Sequence, residues 1–257
     1  MDKLFLSVII PCYNEAENLK HGVLAGINNY LKEKKFSWEV IISDDGSSDE
    51  SRELVKKEIG KWVNFRLLKN PHGGKPSALW FGIKASRGKY ILFSDMDQST
   101  PIAELDKLLP YVGERVGAVI GSRGRSRKNF PFYRRLGSIV FTELRKSFIL
   151  PEINDTQCGF KLIKKSTALE IFPLLEFFKK KVVAKGWKVT SWDVEFLFIL
   201  KKRGLEIKEV PVYWEDVDLS KGKGGSLNRY IRESNEMLSQ IIKVKVNDSK
   251  GMYNFRK

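Results

Sequence analysis

The sequence predicts an α/β protein built on a mostly parallel, twisted sheet with helices on both faces. Short apolar runs rich in β-branched residues recur through the first half of the chain, and segments with helical spacing separate them. Polar or acidic residues stand directly after the runs. Strands alternating with helices in this way pair in parallel through crossover connections. Ligands of such sheets bind beyond the carboxyl ends of the strands, so the residues after each run are the place to look for chemistry.

Leu4 to Pro11 reads as a fully buried strand, because the run is almost wholly apolar. Leu19, Val23, Ile27 and Leu31 recur at helical spacing and predict one helix from Glu15 to Lys32. Trp38 to Ser43 is the second strand, and Asp49 to Ile59 a helix with acids in its first turn, where the helix dipole favours them. Phe65 to Leu68 is the third strand. Pro76 to Ser86 is a helix with proline in its first turn, ended by Gly88. Tyr90 to Ser94 is the fourth strand, Pro101 opens another helix, and Gly117 to Gly121 is the fifth strand.

The second half is less regular. Phe132 to Phe148 reads as a basic, amphipathic helix, Gly159 to Lys164 as a strand, Ser191 to Lys202 as a helix and Glu206 to Tyr213 as a strand. Leu219 to Ser226 is a Lys/Gly/Ser-rich loop, and an amphipathic C-terminal helix follows from Leu227 to about Val244. The expected organisation is one domain over residues 1–220 with a loop and helical tail over 221–257.

With 257 residues, 42% hydrophobic and 30% charged, the chain can bury a sizeable core, and disorder is excluded. Cys12 and Cys158 cannot make a disulfide framework, and with His21 and His72 they show no metal-ligand spacing; a reducing, cytosolic compartment is expected. No secretory signal is visible, and no stretch reaches the roughly 18 apolar residues that a membrane span requires.

Lys and Arg number 46 against 31 Asp and Glu, a net +15 that implies an anionic partner. The excess is concentrated: Arg123, Arg125, Arg127, Lys128, Arg134, Arg135, Arg145 and Lys146 are opposed in that stretch by Glu143 alone. Phe132, Tyr133, Leu136, Ile139 and Val140 interleave with these cations. A helix of that make-up can rest in a membrane interface with its cations among phosphates, although an ordinary surface helix with a core stripe has the same pattern. Nucleic acid is not an expected partner, since the aromatics follow helical spacing and no RNA- or DNA-binding signature is present.

Asp95-Met96-Asp97 follows an apolar strand directly. Two carboxylates one residue apart at a strand end can share a hard divalent cation whose shell is completed by phosphate oxygens; a solvated turn has the same composition. Asp44-Asp45-Gly46-Ser47 also follows a strand, and its two aspartates exceed what helix capping by Ser47, Ser48 and Asp49 needs. Asn70 to Ser77 (NPHGGKPS) is a Gly-rich turn into a helix, able to receive an anion at the helix N-terminus. It is not a P-loop, because Lys69 stands where that motif has its first glycine.

Together, Ser7 to Glu15 (SVIIPCYNE), Asp44 to Ser47, Gly74-Lys75 and Asp95-Met96-Asp97 resemble family 2 glycosyltransferases of the nucleotide-binding GT-A fold. Asp155 to Lys161 (DTQCGFK) is similar to the acceptor-side segment of the polyprenyl-phosphate branch, which includes dolichyl-phosphate glucosyl- and mannosyltransferases. Trp192 to Glu195 (WDVE) and Glu209 to Val212 (EVPV) are similar to the end of that catalytic domain. By this resemblance Pro11, Tyr13, Glu15 and Asp44 or Asp45 hold the nucleotide base and ribose, with Lys75 and Asp95 also on the nucleotide-sugar side. Asp95 and Asp97 bind Mg2+ or Mn2+, with Gln98 a further metal contact, and Asp97, Arg123, Asp155, Gln157 and Lys161 form the catalytic set. Met96 departs from the small residue usual in the branch, and Gln98-Ser99-Thr100 varies the usual continuation; neither removes a carboxylate.

The resemblance implies inverting transfer of a hexose from a UDP- or GDP-sugar to a polyprenyl phosphate, glucose ahead of mannose. The residues agree on the acceptor: a sugar hydroxyl needs a general base, whereas a phosphate monoester is already anionic and needs cationic clamps. Arg123, Arg134, Arg135 and Lys161 supply clamps, and the Gln-x-x-Arg-Trp segment of processive relatives is missing. The expected partners are a nucleotide-sugar donor, a polyprenyl phosphate lipid and an anionic membrane surface. The enzyme is expected to be peripheral on the cytoplasmic face of a membrane, or paired with a membrane-protein partner. Transfer to a hydroxyl acceptor in glycan or cell-surface polysaccharide synthesis, and an inactive nucleotide-sugar-binding module, are the alternatives left open. Asp193 also fits a helix N-terminus, Glu195 is left open between an active-site and a structural role, and Trp187 and Trp192 read as packing residues.

Overall fold

The computed structural model describes residues 4–124, 142–143, 145–179, 192–217, 219 and 227–254, of which 227–237 are described by backbone alone. Strands β1 (Leu6–Cys12), β2 (Trp38–Asp44), β3 (Phe65–Lys69), β4 (Tyr90–Phe93), β5 (Val116–Ser122), β6 (Lys161–Lys164) and β7 (Glu206–Pro211) form one sheet. Its order is β3-β2-β1-β4-β6-β5-β7. β1 pairs in parallel with β2 and β4, β2 with β3, and β5 with β7, while β6 runs antiparallel to both of its neighbours. The mostly parallel sheet expected from the sequence is therefore present, with β6 as its reversed strand. Because β6 is reversed, its entering end lies beside the leaving ends of β4 and β5. One edge of the sheet thus collects the residues that follow β1, β2, β4, β5 and β7 and those that precede β6.

The strands are buried because both faces are covered. Leu6, Val8 and Ile10 of β1 enter one core with Leu24, Ile27 and Leu31 of α2 (Val23–Lys32) and Val55 of α3 (Ser51–Ile59). Ile9 points the other way, into a second core with Leu79 and Ile83 of α4 (Lys75–Ala85) and Phe196 and Leu200 of α8 (Trp192–Lys202). The period-two alternation of a strand separates these two sets.

Three expectations about helices are corrected. Glu15 to Lys32 is two helices, α1 (Ala16–Lys20) and α2, broken at Gly22 with φ 72°. Leu19 and Leu24 still pack in one core, so the apolar spacing runs through the break and conceals it. The helix expected after Pro101 is only α5 (Leu105–Leu108) between two 3-10 turns, the second containing Pro110. The C-terminal helix, α9 (Leu227–Ser249), runs past Val244. Its Ile241 and Val244, with Tyr253 beyond it, are buried in the second core. Between β6 and α8 lie α6 (Lys165–Ile171) and α7 (Glu176–Lys179). Most of the basic stretch from Phe132 to Phe148 falls outside the described residues; Arg145 to Phe148 are helical.

Candidate active site

The turn after β4 carries the first two carboxylates. Ser94 N donates to Ile9 O at 3.2 Å, which seats the turn beside β1. Gln98 adopts φ 53°, and its amide folds back on the turn: Nε2 donates to Asp95 O at 2.7 Å and Ser94 Oγ at 3.0 Å, while Oε1 accepts Ile102 N at 3.1 Å. This occupies the side chain expected to contact a metal. Asn14, after β1, has φ 55° and accepts Ser48 N through Oδ1 at 2.9 Å. Among the described residues these are the non-glycine positions with positive φ, and both follow central strands at this edge. Backbone strain of this kind concentrates at functional sites. Met96 is buried in the first core, so it anchors the turn between the two aspartates that flank it. Asp97 Oδ1 accepts Ser99 N at 2.9 Å.

The turn after β3 delivers a cation to these acids. Gly74, at φ 86°, leads into α4, and Lys75 at the first position of that helix places Nζ 2.5 Å from Asp95 Oδ1. Burial pushes the Lys75 pKa down, but Asp95, Asp193 and Asp97 outweigh it and the value is raised. Asp45 builds this turn: its carboxylate accepts Gly73 N at 3.0 Å and Gly74 N at 2.8 Å and lies 2.9 Å from His72 Nδ1. Burial raises the Asp45 pKa more than these hydrogen bonds lower it. Asp44 accepts Gly46 N at 3.1 Å and Arg52 Nε at 2.6 Å. Both aspartates are fully buried. Both carboxylates thus build the loops at this strand end, where the sequence expects Asp44 or Asp45 to meet the nucleotide.

Pro11, Tyr13 and Glu15 line the neighbouring end of β1. Pro11 lies beyond the last β1–β4 pair, Ile9 with Phe93, where its lack of an N–H is tolerated. The Tyr13 ring stacks on His72 at 4.6 Å between centroids. Glu15 is buried and accepts Asn18 Nδ2 at 2.6 Å.

Across the edge stand two ion pairs. Arg123, after β5, grips Asp155 through Nε to Oδ2 at 2.7 Å and Nη2 to Oδ1 at 2.8 Å, and its backbone N reaches the same carboxylate at 3.1 Å. Burial opposes the charge on Arg123, but Asp155 outweighs it and the pKa is raised, with Cys158 and Asp193 acting in the same direction. Lys161 opens β6, with Nζ 2.6 Å from Asp193 Oδ1 and a further bond to Cys158 O. Lys161 is 1% exposed, so it holds Asp193 in place rather than standing open as a clamp. Among the described residues, Gln157 Nε2 and Thr156 Oγ1 are buried without a hydrogen-bond partner. A buried donor without an acceptor is costly, and a ligand that supplies one relieves that cost.

Glu195 turns toward a different part of the chain. Glu195 accepts Glu176 N at 2.9 Å and the Tyr253 hydroxyl at 2.6 Å, and so anchors the C-terminal segment. Trp192 packs against Phe172 and Phe196, the packing role expected of it, and Lys161 Nζ lies 5.8 Å from its ring. Arg134, Arg135 and Trp187 lie outside the described residues. The structure adds Trp214, whose ring lies 5.6 Å from the Arg123 guanidinium, and Glu209, which binds the backbone of Asp155. Glu209 lies in the EVPV segment already singled out; no sequence pattern marked Trp214.

Counted formally, Lys75, Arg123 and Lys161 face Asp95, Asp97, Asp155 and Asp193, three cations against four carboxylates. Among the described residues no group of three or more His, Cys, Asp or Glu side chains forms a metal centre. One surplus negative charge, and two oxygen-donor carboxylates on one turn, nevertheless fit a hard divalent cation whose remaining ligands are phosphate oxygens and water.

Comparison with known proteins agrees. Dolichyl-phosphate beta-glucosyltransferase of Dictyostelium discoideum is 35% identical over 240 residues, covering 86% of this chain and 69% of that protein. The Saccharomyces cerevisiae protein of the same name is 33% identical over 245 residues, covering 86% and 70%. The fold is similar to that of glucosyl-3-phosphoglycerate synthase from Mycobacterium tuberculosis in complex with Mn2+, UDP and glucosyl-3-phosphoglycerate. The TM-score is 0.59 at 17% identity, over 94% of this chain and 80% of that one, which bears out the GT-A fold. The profile described as Glycosyl transferase family 2 matches residues 7–172, which span β1, both acidic strand ends and the Asp155 segment, and the chain belongs to that family.

Proposed function

We propose that this protein transfers glucose, with inversion, from a nucleotide-glucose to a polyprenyl (dolichyl-type) phosphate at a membrane surface. The observation that carries the reading is the meeting at one sheet edge of Asp95, Asp97 and Lys75 with the Arg123–Asp155 and Lys161–Asp193 pairs. Relatives at 33–35% identity bear the name of that activity. Asp95 and Asp97 would hold Mg2+ or Mn2+, which when bound neutralises charge on the diphosphate leaving group.

The chain's own residues supply the rest. Lys75 is placed to exchange its contact with Asp95 for a diphosphate oxygen, at the N-terminus of α4 where anions are favoured. The Tyr13 ring, stacked on His72, stands on the nucleotide side, and Asp44 and Asp45 hold the loops that shape it. Arg123 and the unpartnered Gln157 Nε2 present donors to the acceptor phosphate. A phosphate monoester attacks as an anion, so Asp155 and Asp193 serve by orienting cations rather than by removing a proton. Among the described residues no helix is long and apolar enough to cross a membrane. The cations between Arg123 and Lys146 support a peripheral position on the cytoplasmic face.

The test is a donor screen: the protein, Mn2+ or Mg2+, a short polyprenyl phosphate and a panel of nucleotide-sugars, read by mass spectrometry of the lipid. Glucosylated lipid from UDP-glucose is the expected product, with mannose from GDP-mannose the next candidate. Sugar transfer only to water-soluble hydroxyl acceptors would replace this reading.

A further inference from the structure

Glu209, on β7, reaches the site through backbone. Its Oε1 accepts the N–H of Asp155 at 2.6 Å, and its Oε2 accepts the N–H of Asn154 at 2.8 Å and the Asn154 side-chain amide at 2.9 Å. The buried Arg145 donates to Asn154 O at 2.9 Å. The peptide between Asn154 and Asp155 is therefore held by two charged side chains. Asp155 then engages Nε and Nη2 of Arg123, leaving Nη1 without a hydrogen bond to any described residue. Just beyond β7, Val212 N donates to Ser122 O at 3.0 Å, and Trp214 sets its ring against the same guanidinium.

We infer that Glu209 is a positioning residue for the acceptor phosphate, fixing Asp155 and, through it, the unengaged Nη1 edge of Arg123. This rests on the proposed lipid-phosphate acceptor. A carboxylate that accepts two consecutive peptide N–H groups makes charge-assisted bonds with a defined direction, and a bidentate arginine pair transmits that direction. A misaligned clamp weakens capture of the acceptor and leaves the nucleotide side intact.

The test compares wild type with Glu209→Gln, in which one accepting oxygen becomes an amide donor, and with Glu209→Asp, which keeps the charge at shorter reach. Kinetics with UDP-glucose, Mn2+ and a short polyprenyl phosphate are read beside UDP affinity by calorimetry and amide hydrogen exchange over residues 153–157. Glu209→Gln should raise the acceptor KM about tenfold and speed exchange in that segment, with donor KM and UDP affinity within about twofold. Glu209→Asp should fall between Glu209→Gln and wild type. In an Arg123→Lys background the Glu209→Gln effect on acceptor KM should shrink below about twofold, because the two residues act in series. The inference is overturned by a full effect in that background, by an unchanged acceptor KM in an active enzyme, or by loss of UDP affinity in both variants. If wild type glucosylates no polyprenyl phosphate, the proposed acceptor fails; exchange then decides, with unchanged rates over 153–157 overturning the positioning role and faster rates supporting it.

Discussion

Gly159 lies directly against the carboxylate of Asp95: a Cβ built on the glycine would have all three atoms of that carboxyl group within 3.0 Å. The backbone at Gly159 is not in the left-handed region, so space rather than conformation demands glycine. The acceptor-side segment and the metal-side turn therefore touch, and each fixes the other. Gly159→Ala should push Asp95 from its place. Activity should fall at least about a hundredfold with little change in thermal stability, as expected when a preorganised charged group is displaced. Turnover near the wild-type rate would show that Asp95 needs no such placement.

Asp97 Oδ1 is oriented by Ser99 N, and Met96 beside it is anchored in the core. Asp97→Asn keeps size and the hydrogen bond but removes a charge from the surplus that fits a divalent cation. Turnover should drop about a hundredfold or more, and the concentration of Mn2+ giving half-maximal rate should rise. A variant with an unchanged metal requirement would assign the cation elsewhere.

At the opposite edge of the sheet, Glu39 is buried yet held ionised. It accepts Ser7 Oγ at 2.7 Å, Arg87 N at 2.7 Å and Arg66 Nη2 at 2.8 Å. Burial pushes its pKa up, but these donors outweigh burial and hold it below the ordinary glutamate value of 4.5. A carboxylate with a lowered folded-state pKa contributes stability that is fully present above its unfolded value and is lost as pH falls through the folded one. Glu39→Gln should therefore cost about 2–3 kcal/mol at neutral pH, and the gap to wild type should narrow as pH drops below 4.5. Urea denaturation across that range reads it; a gap that widens on acidification would reverse the assignment.

Much of this was legible in sequence because strand burial and strand-end acids leave local patterns. Leu6, Val8 and Ile10 alternate with Ile9 between two cores, and the apolar run of β1 shows it. Asp95, Asp97, Lys75 and Asp155 were named from their segments, and all four come to one edge. What sequence could not show was whether a carboxylate faces a ligand or its own loop. Asp45 and Asp95 each follow a strand, but two glycine N–H groups enclose the first and a lysine ammonium meets the second. Trp214 meets Arg123 through tertiary contact alone, 91 positions away (214 − 123), and Gly22 breaks a helix whose apolar spacing continues across it.

Tyr253 shows how the last residues join the catalytic core without touching its chemistry. Its hydroxyl donates to the buried Glu195 at 2.6 Å, and Glu195 also accepts Glu176 N at 2.9 Å. Burial raises the Glu195 pKa, and these two hydrogen bonds oppose that rise. Tyr253→Phe leaves the ring packed against Phe198 but removes one of the two donors from a buried carboxyl group. Such a loss costs about 1–3 kcal/mol, and for a chain of this size each kcal/mol lowers Tm by about 2–4 °C. Glu195 sits on α8 two residues from Asp193, yet the bond faces the tail, so kcat at room temperature should stay within about twofold of wild type. Thermal denaturation and initial rates, measured on the same preparation, separate the two effects. A large fall in kcat with Tm unchanged would place Glu195 in the active site after all.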